Sequence, residues 1–424
     1  MRAHAQRLGH FVNNELVRSF SPVYFAIIMG TGGISNLFDV FPYGQGWLMK
    51  ALSLVLFFLN LSLFMVFTIW AIARYSSHPK DWVDVMHNPT LSLFWGCFPM
   101  GFTTIIDVGV NVLHEYFSFG GKVFVYSIWV MWWINLGISF ACYWGIVHHM
   151  IAHPNYSLEL MNTSWLLPVV TLVVCSSSAG ILANALREYS LTHALITVTL
   201  GLFMVTAGFT LSFIIFTIYF QRLFLYGLPE GTAVLTTFLP LGPTGQAGFS
   251  IILIGRNLSE LLPAEDSSSA FLRWTYTGQA IYVLCVCVAF LLWTFSSTFL
   301  AFAILAIVTA LHKRRIGFTP SFWGLVFPNS VYATLTIALG ESLNATFFRV
   351  YGAIYAVGTF LLWLSITLRS LVHVYDVVFR HPLPAIPLSR TPTLKQVPEA
   401  KYRKKRGFIH HQWDQLGATH RHAR

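Results

Sequence analysis

The amino-acid sequence predicts an all-α membrane protein whose ten transmembrane helices pair as five tandem helical hairpins. Three observations carry that prediction. Of 424 residues, 55% are hydrophobic and 10% are charged, whereas a soluble domain carries about 25% charged residues. Ten stretches reach the roughly 20 apolar residues needed to cross a bilayer core. Every second stretch carries a glycine, proline or serine interruption, which lipid tolerates only against protein or along a water-filled path. The odd-numbered helices are therefore expected to surround a central pore.

The elements follow in order. Residues 1–21 form a polar N-terminal segment with Arg2, Arg7 and Arg18 and no apolar run of the kind a secretory leader has. The first span, 22–40, holds Gly30-Thr31-Gly32-Gly33, and the second, 47–73, is uninterrupted. The third, 91–113, is broken at Phe98-Pro99-Met100-Gly101, and the fourth is 122–147. Leu167-Pro168 and Ser176-Ser177-Ser178 interrupt the fifth, 164–186, and 193–220 is the sixth. Leu241-Gly242-Pro243-Thr244-Gly245 interrupts the seventh, 232–254. The eighth, 274–311, is long enough to tilt or to project beyond the bilayer. Phe327-Pro328-Asn329 interrupts the ninth, 322–341, and the tenth is 346–373. The ten-helix domain thus covers 22–373. Residues 374–424 are a proline-containing basic tail with the run Lys401-Tyr402-Arg403-Lys404-Lys405-Arg406, read either as a solvated topogenic tail or as one attracted to anionic lipid of the inner leaflet.

Charge sets the orientation. Arg2, Arg7, Arg18, Arg74, Lys80, Arg222, the Lys313-Arg314-Arg315 run and the whole tail fall on one side. Only Lys50, Lys122, Arg187, Arg256, Arg273 and Arg349 fall on the other. The imbalance predicts cytoplasmic N- and C-termini. It also accounts for the net charge of +10 without a nucleic-acid partner. Asn257-Leu258-Ser259 and Asn344-Ala345-Thr346 become outward sequons. Cys97, Cys142, Cys175, Cys285 and Cys287 lack metal-site spacing and read as core residues. No P-loop, H-E-x-x-H or G-x-S-x-G is present. No metal, cofactor or enzymatic activity is expected, and transport would be driven by gradients.

All odd helices run the same way, so their breaks can lie at one depth. A half-helix restarting after a break presents unpaired N–H groups and partial positive charge. Such an end attracts anions. The candidate pore and anion-binding residues on the first span are Gly30, Thr31 and Gly32. On the third and fifth they are Gly101, Thr104, Ser176 and Ser177, and on the seventh and ninth Gly245, Gln246 and Asn329. Neutral donors of this kind hold an oxyanion weakly, which suits passage. Arg18 and Arg74 are placed to concentrate anions at the inner boundary. Asp107 lies eight residues beyond Pro99, about 12 Å along a helix. It is the candidate for proton linkage, with an interfacial position as the alternative.

An internal echo joins two of the breaks. Phe94-Trp95-Gly96-Cys97-Phe98-Pro99 matches Phe322-Trp323-Gly324-Leu325-Val326-Phe327-Pro328 with one extra residue. Phe98 and Phe327 each precede a proline, where a bulky ring could close a narrow conduit.

These motifs resemble the tellurite-resistance/dicarboxylate transporter family, which includes slow anion channels, and most of all its fungal sulfite efflux branch. The resembling stretches are Phe25-Ala26-Ile27-Ile28-Met29-Gly30-Thr31-Gly32, Leu93 through Gly101, Leu241 through Gln246, and Phe322 through Pro328. The resemblance implies five hairpins around a central pore, frequent trimeric assembly, and a phenylalanine gate that maps onto Phe327. It also implies export of sulfite or bisulfite across the plasma membrane. The alternatives on the same fold are a C4-dicarboxylate (malate) permease and a passive small-anion channel.

Overall fold

The computed structural model describes residues 17–44, 46–153, 157–263, 268–313 and 317–375. The expected basic tail and its histidines lie outside the described residues, as do Arg2, Arg7, Arg314 and Arg315. The chain forms two compact units, Met1–Val372 and His373–Arg424. The second unit is described only at the end of the last helix, and the first forms the fold below. Among the described residues the structure is helical, with no strand.

Five inner helices alternate with five outer ones. The inner helices are Phe25–Asp39, Cys97–Val108 with a π-helical continuation over Gly109–Tyr116, Leu167–Arg187, Leu241–Leu261 and Val326–Ser342. The outer helices are Trp47–Ser77, Gly121–Ala152 with π-helical turns at Ala141–Ile146, Leu191–Tyr226, Thr277–Lys313 and Thr346–Tyr375. A short surface helix, Pro79–His87, follows the first outer helix. Among the described residues, nine of these spans are long and apolar enough to cross a membrane. The first inner helix, expected as a tenth span, has 15 residues, about 22 Å of length.

Burial separates the two sets. The most apolar stretch of Thr163–Arg187 is wholly buried, whereas that of Trp47–Ser77 is 22% buried. The inner helices touch in sequence, and the fifth closes on the first. Small residues permit the close approach. A Cβ on Gly245 would lie 3.1 Å from the Tyr332 amide nitrogen, and one on Gly101 would lie 2.9 Å from Ile28. Buried polar pairs lock outer helices to inner ones. Ser35 Oγ donates to Ser53 O at 2.7 Å, and Ser53 Oγ returns a bond to Ser35 O at 2.8 Å.

The interruptions differ from the expectation in an informative way. Pro99, Pro243 and Pro328 are the third residues of their helices and Pro168 is the second. In a first turn the missing proline N–H has no intrahelical partner to lose. These prolines therefore mark helix starts, not mid-helix breaks. Gly30–Gly33 and Ser176–Ser178 lie inside unbroken α-helix.

Each inner helix is entered through a 3-10 segment: Pro22–Tyr24, Ser92–Gly96, Thr163–Leu166, Gly231–Phe238 and Pro320–Leu325. These five segments also touch in a closed ring, a collar at the face where the inner helices begin. Thr163 Oγ1 donates to Thr236 O within it. The collar pairs donors expected to be free. The Cys97 N–H bonds to Phe94 O and Trp95 O, and the Phe25 N–H to Pro22 O and Val23 O. No ring of unpaired N–H groups forms at Gly30, Gly101, Ser177, Gly245 and Asn329, and the positive helix ends lie lower, at the collar.

Candidate functional site

Two separate cavities lie within the inner ring. The upper one, about 20 Å³, has room for roughly one water. All five inner helices line it, including Gly33 and Asn36 from the first, Thr104 and Asp107 from the second, and Val174 from the third. Gln246 comes from the fourth, and Phe327, Ser330 and Thr334 come from the fifth. The lower cavity, about 290 Å³, lies in the collar and includes Met29, Cys97, Asn162, Ser164, Thr236 and Gly324 in its wall.

Among the described residues Asp107 is the one ionisable side chain lining the upper cavity. It is 3% exposed, so it lies among the inner helices and not at an interface. Ser178 Oγ donates to its Oδ1, and Ser177 Oγ lies 3.4 Å from its Oδ2. Ser177 Oγ in turn accepts from Gln246 Nε2 at 2.6 Å. One carboxylate, two hydroxyls and one amide from three adjacent helices thus form a buried chain beside the cavity. The π-helical turns begin two residues after Asp107, and such turns often occur at functional sites. Neither composition nor residue spacing signals them.

The remaining candidates divide between this chain and the helix interfaces. Thr104 lines the upper cavity and donates to Gly101 O at 2.8 Å. Thr31 faces the last outer helix, where its Oγ1 accepts from Trp363 Nε1 at 3.2 Å. Ser176 bonds back to Val173 O and lines neither cavity. Gly30, Gly32, Gly101 and Gly245 face neighbouring helices; the glycine that lines the cavity is Gly33. Asn329 also turns outward: its Oδ1 accepts from Tyr355 and its Nδ2 donates to Leu325 O at 2.7 Å.

The echoed phenylalanines part company. Phe327 is 4% exposed and lines the upper cavity. Phe98 lines neither cavity; its ring packs on Phe25 and Phe64 at 5.0 and 5.2 Å. Both are the second residues of their helices, each followed by a proline, so the echoed sequence alone does not fix which ring faces inward. In the first motif Cys97 lines the collar cavity.

The charges expected to gather anions are committed elsewhere. Arg18 Nη2 and Arg74 Nη2 pair with Asp81 at 2.9 and 3.2 Å, and Arg74 also donates to Phe20 O. Burial works against ionisation of Asp81, but the Arg18 hydrogen bond and the charges of both arginines outweigh it and hold the carboxyl below its ordinary range. On the opposite face Lys50 Nζ pairs with Asp39 Oδ1 at 2.5 Å. Asn257 is no free sequon: it is 4% exposed, and its amide donates to Gly180 O and Leu253 O, both at 2.9 Å. Among the described residues no group of His, Cys, Asp and Glu is arranged to hold a metal ion, and the five cysteines are free.

Comparison with known proteins places this geometry. A family model described as SLAC1, voltage-dependent anion channel, matches residues 19–371. The sulfite efflux pump SSU1 of Arthroderma otae is 31% identical over 351 residues, covering 82% of this chain and 89% of that protein. The sulfite efflux pump SSU1 of Saccharomyces cerevisiae is 24% identical over 419 residues, covering 86% and 90%. The malic acid transport protein of Schizosaccharomyces pombe is 21% identical over 360 residues, covering 84% and 78%.

Proposed function

We propose that this chain, which belongs to the SLAC1 voltage-dependent anion channel family, exports sulfite or bisulfite across the plasma membrane and so confers sulfite tolerance. The observation that carries the reading is the closed ring of five parallel inner helices around two cavities. Among the described residues their walls hold a single charged side chain, Asp107. A conduit lined by hydroxyls, amides and helix dipoles favours a small, weakly held anion. The relatives named as sulfite efflux pumps narrow that anion to sulfite. The family and these relatives are transporters or channels, and no enzymatic activity is assigned.

In this reading the anion enters at the collar, passes the Phe327 ring and leaves past Thr104, Gln246 and the Ser177–Ser178 pair. Phe327 closes the conduit sterically. Asp107 supplies the proton link. Its carboxylate occupies the Ser178 hydroxyl, a donor a passing oxyanion would use, while Ser177 directs its own proton to Val174 O at 2.8 Å. Ionised, Asp107 also repels the permeant. Protonation removes the negative charge and releases the Ser178 hydroxyl, so anion passage is favoured when Asp107 carries a proton. The termini are cytoplasmic, the collar faces the cytoplasm, and the assembly is a homo-oligomer, with a trimer implied by the family.

Reconstituted flux of sulfite, malate and chloride tests the reading. Sulfite flux is expected to exceed the other two. Malate flux without sulfite flux would overturn it in favour of a dicarboxylate permease, a second reading supported by the malic acid relative. Large uncoupled chloride currents would favour a passive channel.

A further inference from the structure

Along the export route the collar cavity so far only admits the permeant, yet its wall carries unused donors. Asn162 caps the third 3-10 segment: its Oδ1 accepts the Ser164 N–H at 2.9 Å. That bond fixes the side-chain amide, and its Nδ2 has no partner among the described residues. Ser164 is 4% exposed and lines the cavity, yet its hydroxyl has no partner among the described residues either. Two neighbouring donors are left open toward the cavity.

The surroundings select the partner. Among the described residues no carboxylate and no basic side chain lines the cavity. All five inner helices begin at the collar, so the positive ends of their dipoles converge there. That field favours an anion over a cation or a neutral solute. Arg18 and Arg74 are paired with Asp81, so a second negative charge would enter without a counter-ion, at high cost. At about 290 Å³ the space holds a small anion with several waters, each taking about 30 Å³.

We infer that the collar cavity is a binding site for a small, singly charged oxyanion, held by the Ser164 hydroxyl and the Asn162 amide before it reaches Phe327. The inference rests on the export reading and adds the place and chemistry of first recognition. Neutral donors discriminate by charge: bisulfite, the monoanion of the sulfite pair, is held, and the dianions sulfite and malate are refused at the entrance.

Equilibrium binding of radiolabelled sulfite, bound as bisulfite, to the purified full chain tests it, with malate and chloride as competitors. Ser164→Ala is expected to weaken sulfite binding about tenfold, the effect of one hydrogen bond to a charged group. Ser164→Thr keeps the hydroxyl and restores it. Asn162→Asp keeps the cap acceptor, preserves the fold and adds a negative charge, so binding is abolished. Malate competes poorly. In flux assays Ser164→Ala raises KM and leaves the maximal rate within twofold. Unchanged sulfite binding in both Ser164→Ala and Asn162→Asp overturns the site. If the wild-type chain exports sulfite while both variants keep its KM, the collar assignment fails alone. If the wild-type chain moves malate and not sulfite, the export reading fails and the site falls with it.

Discussion

Tyr355 donates to Asn329 Oδ1 at 2.5 Å, and the same asparagine donates to Leu325 O at 2.7 Å. Leu325 closes the last collar segment, and Phe327 follows two residues later. An outer helix thereby holds the turn that aims Phe327 at the axis. Tyr355→Phe deletes the first bond and keeps the ring. Its expected cost is about 1 kcal/mol of stability, read by thermal unfolding in detergent. Loosening the turn is also expected to raise sulfite flux several-fold. A stable variant with unchanged flux would mean that the tyrosine packs the helix without positioning Phe327.

The two phenylalanines of the echoed motif make a paired prediction. Phe327→Ala removes the ring from the upper cavity and is expected to raise flux. Phe98→Ala removes a ring from the Phe25–Phe64 cluster and opens no path. It should cost about 3 kcal/mol, as large-to-small core changes do, with no gain in rate per folded molecule. Flux per unit of correctly folded protein separates the two. Equal gains from both would place Phe98 at the axis, against its ring contacts.

How much of this was legible in the sequence depends on what hydropathy encodes. The inner–outer alternation follows from apolar length and from where small residues and prolines fall, and nine of the ten expected spans are long and apolar enough to cross a membrane among the described residues. The proline positions were legible too, but their meaning was not. A proline disrupts a helix interior and is welcome in a first turn, and only the preceding 3-10 segment tells which applies. Rotation was the other hidden quantity. Asn329 and Thr31 carry the polar atoms expected of a pore, yet each faces the last outer helix. Composition cannot say which side of a helix looks inward when both sides are buried. Asp107 was visible as a charge in an apolar run, whereas its depth depended on Ser177 and Ser178 lying at the same level of the next helix.

Asp107→Asn tests the proton link by its pH profile. In the proposed reading ionised Asp107 holds the Ser178 hydroxyl and repels the permeant, so wild-type flux should fall as pH rises. The amide cannot ionise. Sulfite itself changes protonation near neutral pH, but that change is common to both proteins and cancels in the ratio of their rates. The ratio of variant to wild-type flux is expected to climb with pH. A ratio that stays flat from acid to alkaline conditions would remove Asp107 from the coupling.

Asp81 predicts acid sensitivity of a different origin. Its carboxyl is held below its ordinary value of 3.8, so it binds protons less readily in the fold than in the unfolded chain. Its stabilisation is complete above that ordinary value and is lost as pH falls through the lower folded value. Asp81→Asn leaves Arg74, 4% exposed, without its counter-charge, with the Phe20 carbonyl as its remaining acceptor. The expected cost at neutral pH is about 3 kcal/mol, and the acid-dependent part of the loss should vanish. Thermal unfolding of both proteins between neutral and strongly acidic pH measures it.

Gly33 is the glycine that lines the upper cavity. A Cβ on Gly33 would collide with Ser330 Oγ and lie 3.2 Å from Ser330 Cβ. Both residues line the upper cavity, on adjacent helices of the ring. Gly33→Ala should therefore push the first and fifth inner helices apart, with a destabilisation of about 1–3 kcal/mol, the usual range for overpacking. Ser330→Ala removes the clashing oxygen, and its own bond runs only to Phe327 O in the preceding turn, so alone it should cost little. The double variant is then expected to recover most of the stability, a coupling that independent sites would not show. Simple additivity would mean that the clash is relieved by helix movement instead. In that case Gly33→Ala alone should shift sulfite flux through the displaced Phe327, and the same preparations report it.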